Sequence, residues 1–170
     1  MAAVGPGGQE FRGYIDRIDE DPASGERWVI DYKTGAATDL EDGDPLDGGR
    51  KLQLPVYLLG AGRAPSRAVY WFISERGGFR MVVYPSSPAN DARFAATLAA
   101  IGRGVASGAF PAVPGEFNEF YGEFENCRFC DFTLICARGR GGDFDRKCAD
   151  AGVAPWSAVG AGAVAPEGPA

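Results

Sequence analysis

The sequence predicts an α/β domain, a mixed β-sheet flanked by helices with a cysteine-rich segment near its C-terminus. Three observations predict it. Residues 11–19 (FRGYIDRID) and 27–33 (RWVIDYK) are rich in β-branched and aromatic residues and are parted by turn formers, which reads as a β-hairpin with a long loop. Residues 66–76 and 79–84 flank Gly77-Gly78, a two-residue hairpin signal. Residues 89–106 are Ala-rich with apolar residues at helical spacing.

The remaining elements fit between these. Residues 34–50 are rich in Gly and Asp and predict an exposed loop. A helix is expected from Lys51 to Leu59, with Pro55 tolerable only near its first turn. Residues 107–117 form a connector, and the cysteine segment follows. Residues 9–150 are expected to form one domain, with 127–148 as its Cys-rich part, and 151–170 a disordered Ala/Gly/Pro tail. At 170 residues, 45% hydrophobic and 12% aromatic, the chain suffices for one real core.

Composition narrows the chemistry. There is no histidine, so a Ser-His-Asp triad, a His-based zinc hydrolase and a His-metal nuclease all lack their central residue. A catalyst here is built from carboxylates, lysine, tyrosine or cysteine. No GxxxxGK[ST] loop is present, so these residues carry no ATPase motor of that kind. No apolar run approaches the roughly 18–20 residues of a membrane span, and the start MAAVGPGGQEF lacks the basic and apolar parts of a signal peptide. The expected location is the cytoplasm, with no membrane partner. The net charge of −6 is unevenly spread: 12 acids and 4 bases over residues 1–47, 2 and 8 over 48–110, 9 and 5 over 111–170. An acidic front and a basic middle fit a metal site beside a phosphate-binding surface, although ordinary surface scatter accounts for the same numbers.

The first hairpin carries the sharpest signal. If its loop centres near Ala23-Ser24, paired residue numbers sum to about 47 and Asp16 faces Asp31. Directly opposed residues have Cβ atoms roughly 4.5–5.5 Å apart on one face of the sheet. Lys33, two residues beyond Asp31, shares that face. A one-residue slip in register would separate the three. Two carboxylates this close repel unless a cation lies between them. A hard divalent ion such as Mg²⁺ takes oxygen ligands and can activate water against a phosphodiester. An exposed cross-strand Asp–Lys pair of little consequence is the plainer reading of spacing alone.

The motifs carry more. Gly13-Tyr-Ile-Asp16-Arg-Ile-Asp19, then Val29-Ile-Asp31-Tyr-Lys33-Thr-Gly35, then Gln53-Leu-Pro-Val-Tyr57, resemble the GxIDRID, DYKTG and QxxxY motifs of RecB-like nucleases in the PD-(D/E)XK superfamily. The resemblance is strong over residues 11–60. It implies a restriction-endonuclease-like core and Mg²⁺- or Mn²⁺-dependent cleavage of DNA, as an exonuclease module of a helicase–nuclease acting in DNA repair and recombination. It implies that Asp16, Asp31 and the Tyr32 carbonyl bind the metal and that Lys33 is the catalytic lysine. Gln53 and Tyr57, at i and i+4 on one helix face, would lie near the scissile strand. Arg17 and Asp19 point away from Asp16 and are read as a supporting salt bridge. The family has an upstream helix before its first motif. Here only residues 1–10 precede it, and Glu10 is too close to serve as that helix's acid, so the sequence is read as an N-terminally truncated fragment whose own activity is open.

Cys127, Cys130 and Cys136 form a C-x-x-C-x5-C pattern, and Cys148 follows. In a cytosolic chain such spacing argues for a metal, zinc or iron–sulfur, over disulfides. The stretch NCRFCDFTLIC resembles the iron–sulfur segment of AddB-like and CRISPR adaptation nucleases, which implies a 4Fe-4S cluster whose fourth ligand is absent here or is Cys148. Two other functions stay open: a catalytically inactive DNA-binding or scaffold fragment, and a zinc-bound interaction domain.

Overall fold

The computed structural model describes residues 1–37, 46–49, 51–62, 66–84 and 86–160. Its centre is a four-stranded mixed sheet of order β3-β4-β5-β6, formed by β3 (Arg17–Glu20), β4 (Arg27–Lys33), β5 (Ser66–Phe72) and β6 (Met81–Val83). The outer pairs are antiparallel and the central β4–β5 pair is parallel. Parallel strands require a crossover, and α1 (Gln53–Ala61) supplies it. An inner strand covered on both faces reads as a nearly continuous apolar run, and RWVIDYK does so, burying Val29, Ile30 and Asp31 in succession.

Helix α1 has Pro55 at its third position, where the backbone N–H has no partner within the helix, so the proline costs no hydrogen bond. It ends at Gly62, whose φ of 65° is the left-handed conformation that glycine adopts freely. The second long helix, α2 (Pro88–Ala106), starts where Ser87 accepts a hydrogen bond from the Asn90 amide and Pro88 presets the first turn. Leu54 and Val56 of α1, Phe94 and Leu98 of α2, and Ala68, Tyr70 and Phe72 of β5 make the main core, with Leu46 fully enclosed. Each large apolar side chain buried this way contributes roughly 1.5–3 kcal/mol. The core thus lies on the sheet face that carries Asp31 and Lys33. Among the described residues no helix is long and apolar enough to cross a membrane.

Several boundaries differ from expectation. The single strand expected over 11–19 is two strands: β2 (Glu10–Arg12) pairs with β1 (Ala2–Val4), and β3 begins only at Arg17. Residues before 11 are therefore strand and turn instead of plain loop. The Gly77-Gly78 connection is not a two-residue hairpin turn. Residues Glu75–Gly77 form a short 3-10 helix, followed by Gly78 and Phe79 at φ 63° and 51°. Gly77 is there because it is buried, and a Cβ on it would collide with Phe72 and the Gly35 carbonyl. The expected tail over 151–170 is helical in its first part. A short helix, Ala154–Gly160, packs on α2, with the Trp156 indole lying where a Cβ on Gly104 would stand. Residues 161–170, and 38–45 and 50 of the expected loop, lie outside the described residues.

Candidate active site

Asp31 is the buried carboxylate of the sheet, 4% exposed. Burying a carboxylate is costly unless partners compensate. Three side chains supply them. Gln53 Nε2, on the first turn of α1, donates to Asp31 Oδ1 at 2.9 Å. Tyr57 Oη, one turn later, lies 3.4 Å from the same oxygen and accepts from Gln53 Nε2 at 2.8 Å. Lys33 Nζ stands 2.6 Å from Asp31 Oδ2 and donates to Gln53 Oε1 at 2.9 Å. The i, i+4 spacing on α1 and the i, i+2 spacing on β4 therefore converge on one carboxylate.

Asp31 Oδ2 is buried and receives no hydrogen bond of acceptable direction, although the Lys33 ammonium is within ion-pair distance. That ammonium balances the charge on the oxygen, and no other donor among the described residues reaches it. Burial pushes the Tyr57 phenol above its usual range; the Gln53 hydrogen bond opposes this, and the negative charges of Asp31 and Asp16 reinforce it. The Tyr70 phenol, packed beneath, is pushed up to about 12, first by burial and then by Asp31 and Tyr57. Lys33 keeps about a third of its side chain open to solvent, so the cluster is reachable.

The hairpin register is the expected one: Arg17 pairs with Ile30 and Asp19 with Trp28, so one more step would set Asp16 against Asp31. Asp16 itself stands just outside the strand. Its Oδ2 accepts from the Tyr32 amide at 3.0 Å, the hydrogen bond that a longer β3 would have made with its backbone. Since the N–H and C=O of one strand residue point the same way, the Tyr32 carbonyl faces the edge where Asp16 sits. Arg17 and Asp19 form the expected salt bridge, at 2.6 Å, and Arg17 also donates to the Tyr32 hydroxyl at 3.2 Å.

A model of the PD-(D/E)XK nuclease superfamily matches residues 2–137. The chain belongs to that superfamily. No curated protein and no solved structure matches it. As a PD-(D/E)XK domain it has the mixed sheet flanked by helices that a restriction-endonuclease-like fold requires, and the family implies a nuclease, which binds nucleic acid and ordinarily uses a divalent metal.

Two carboxylates, of which Asp31 has its Oδ2 buried without a well-directed donor, and a strand carbonyl are the donor chemistry a hard divalent cation takes, so the residues of this PD-(D/E)XK site fit such an ion. The cysteines behave otherwise. Among the described residues no group of three or more His, Cys, Asp or Glu side chains comes together around a point that would hold a metal. Cys127, Cys130 and Cys136 are thus not gathered as their spacing predicts. Cys127 and Cys130 bracket one turn, Cys130 N donating to Cys127 O, and Cys136 closes a later one, its N donating to Phe132 O. Cys127 Sγ accepts from Arg140 Nε at 3.3 Å, and Cys148 Sγ lies 3.5 Å from the Asp145 carbonyl oxygen. All four thiols are free.

Sequence reading missed Tyr70. Its ring lies under Lys33, with Nζ 4.7 Å from the centroid. Strand β5 was visible as a strand, but its parallel register against β4 depends on a crossover that no local pattern encodes. The loop from Ile73 to Arg80 also closes on the segment after Lys33: Ile73 N donates to Lys33 O, Ser74 Oγ to Thr34 O, and Arg80 to Ala37 O. It brings exposed Arg76 and Arg80 to this end of the sheet.

Proposed function

We propose that this domain is a Mg²⁺- or Mn²⁺-dependent deoxyribonuclease that hydrolyses phosphodiester bonds from DNA ends or single strands. The observation that carries this is the convergence of Lys33, Gln53 and Tyr57 on the buried carboxylate of Asp31 within a PD-(D/E)XK domain.

Asp16, Asp31 and the Tyr32 carbonyl hold the divalent ion in this reading. That ion, when bound, supplies positive charge for the scissile phosphate and lowers the pKa of a water. Lys33, partly exposed beside Asp31, gives its ammonium to the attacking water or to the phosphate oxygens. Gln53 orients both Asp31 and Lys33, because its amide donates to one and its carbonyl accepts from the other. Tyr57, kept protonated by burial, presents a neutral hydroxyl next to Gln53. Arg76 and Arg80 supply charge for the flanking phosphates. On the resemblance of its three motifs to those of RecB-like nucleases, we assign the domain to a helicase–nuclease of DNA repair and recombination, with the motor on another segment or subunit. The C-x-x-C-x5-C segment is proposed to take a 4Fe-4S cluster once a further ligand joins, from Cys148 or from a partner.

The test is cleavage of end-labelled and circular single-stranded DNA with Mg²⁺, with Mn²⁺ and with chelator. Metal-dependent loss of the linear substrate alone supports an exonuclease, and cleavage of the circle shows endonuclease action. DNA binding without cleavage in either metal would favour the inactive scaffold.

A further inference from the structure

Tyr70 stands opposite Asp31 in the parallel β4–β5 register, so its side chain leaves the sheet on the face that carries Asp31 and Lys33. It is 7% exposed and packed into the main core, which fixes the plane of its ring. The Lys33 ammonium lies 4.7 Å from the ring centroid, within the range of cation–π attraction. We propose that Tyr70 is a positioning residue of the nuclease reaction: its ring face seats the Lys33 ammonium beside the scissile phosphate. This rests on the reading of Lys33 as the residue that acts on the substrate.

Competition for one oxygen makes the seat necessary. Among the described residues Lys33 Nζ is seen against Asp31 Oδ2, Gln53 Oε1 and the Tyr70 ring. Asp31 is also the carboxylate proposed to bind the divalent ion, so ammonium and ion draw on the same buried charge. The face of an aromatic ring presents carbon, which a hard cation does not take in preference to carboxylates. The contacts to the ring and to Gln53 therefore persist when Asp31 is engaged. A lysine has a long flexible stem, and without a fixed neighbour its ammonium spreads over many rotamers. A neutral ring is also a weaker partner than a second carboxylate, and it leaves the N–H donors available to a phosphate.

The experiment compares wild type with Tyr70→Phe, which keeps the ring, and Tyr70→Leu, which removes it. The chain has three lysines, Lys33, Lys51 and Lys147, so lysine-labelled protein gives an NMR spectrum that the Lys33→Ala variant assigns. The Lys33 methylene protons next to Nζ are expected upfield from ring current in wild type and Tyr70→Phe, and at the free-lysine position in Tyr70→Leu. In cleavage assays kcat falls about tenfold in Tyr70→Leu with KM unchanged, and stays within about twofold in Tyr70→Phe. Tyr70→Met, unbranched and better able to fill an irregular gap, replaces Tyr70→Leu if the latter melts early. An unshifted Lys33 in wild type, or a folded ringless variant with wild-type kcat, overturns the proposal. A ring-current shift in a wild-type protein that cleaves no DNA in either metal removes the nuclease reading, and the catalytic part of this proposal with it.

Discussion

Gln53 on the first turn of α1 reaches Asp31 in the middle of the sheet, its Nε2 donating to Oδ1 at 2.9 Å. The same carboxamide holds Lys33 through its other end. Removing it strips a buried carboxylate of its best-directed donor, which costs about 1–3 kcal/mol. Gln53→Ala is therefore expected to lower the thermal midpoint and to reduce kcat more than tenfold. Gln53→Glu places a second negative charge on Asp31 and should be worse for stability than Ala. Thermal unfolding of both variants checks this, and a Glu variant as stable as wild type would contradict it.

Asp16 has two separable jobs. As a hydrogen-bond acceptor it closes the ladder at the Tyr32 amide, and as a charge it contributes to cation binding. Asp16→Asn keeps an acceptor and loses the charge, so Mn²⁺ affinity measured by calorimetry should fall while the melting temperature holds. Asp16→Ala should lose both, with a stability cost of about 1 kcal/mol. Equal Mn²⁺ affinity in wild type and Asp16→Asn would remove Asp16 from the metal site.

Tyr70 gives the fold an alkaline limit. Its phenol is pushed from 10.0 to about 12, so the folded state holds that proton more tightly than the unfolded state. The resulting stability is complete below pH 10 and is lost as pH rises towards 12. Denaturant midpoints followed through this window should drop more steeply in wild type than in Tyr70→Phe. Identical slopes would mean the phenol is not held neutral by its surroundings.

Arg76 tests the phosphate surface. It is exposed on the loop pinned to Thr34 and Ala37, near the lysine and outside the cluster. Arg76→Ala should weaken single-stranded DNA binding, lower the salt dependence of the affinity by nearly one contact, and leave melting unchanged. An unaltered salt slope would place the DNA elsewhere.

The sequence disclosed what depends on local spacing. The pairing of β3 with β4 follows from the turn formers between them, and the numbers sum to 47 as expected because Pro22, Ser24 and Gly25 fix the turn. Gln53 and Tyr57 share a helix face for the same local reason. Two kinds of feature were hidden. Breaks within an apolar stretch, as between Arg12 and Arg17, leave composition unchanged, so two strands read as one. Contacts across the β4–α1–β5 crossover, such as Tyr70 under Lys33, depend on tertiary register that no window of sequence contains. The cysteine spacing predicts a shared metal, yet the backbone of 127–136 satisfies itself in successive turns, and among the described residues no three such side chains gather around one point.

The most direct measurement is the rate of DNA cleavage by Lys33→Ala against wild type in Mg²⁺ and Mn²⁺, with thermal unfolding as the control. Lys33→Ala takes the counter-charge from buried Asp31 and should melt earlier, but Gln53 and Tyr57 still contact that carboxylate, so the comparison is made at a temperature where the variant is folded. Cleavage by wild type that falls at least about a hundredfold in folded Lys33→Ala is the expected result. A folded Lys33→Ala protein that cleaves as fast as wild type would contradict the assignment of this cluster as the nuclease centre.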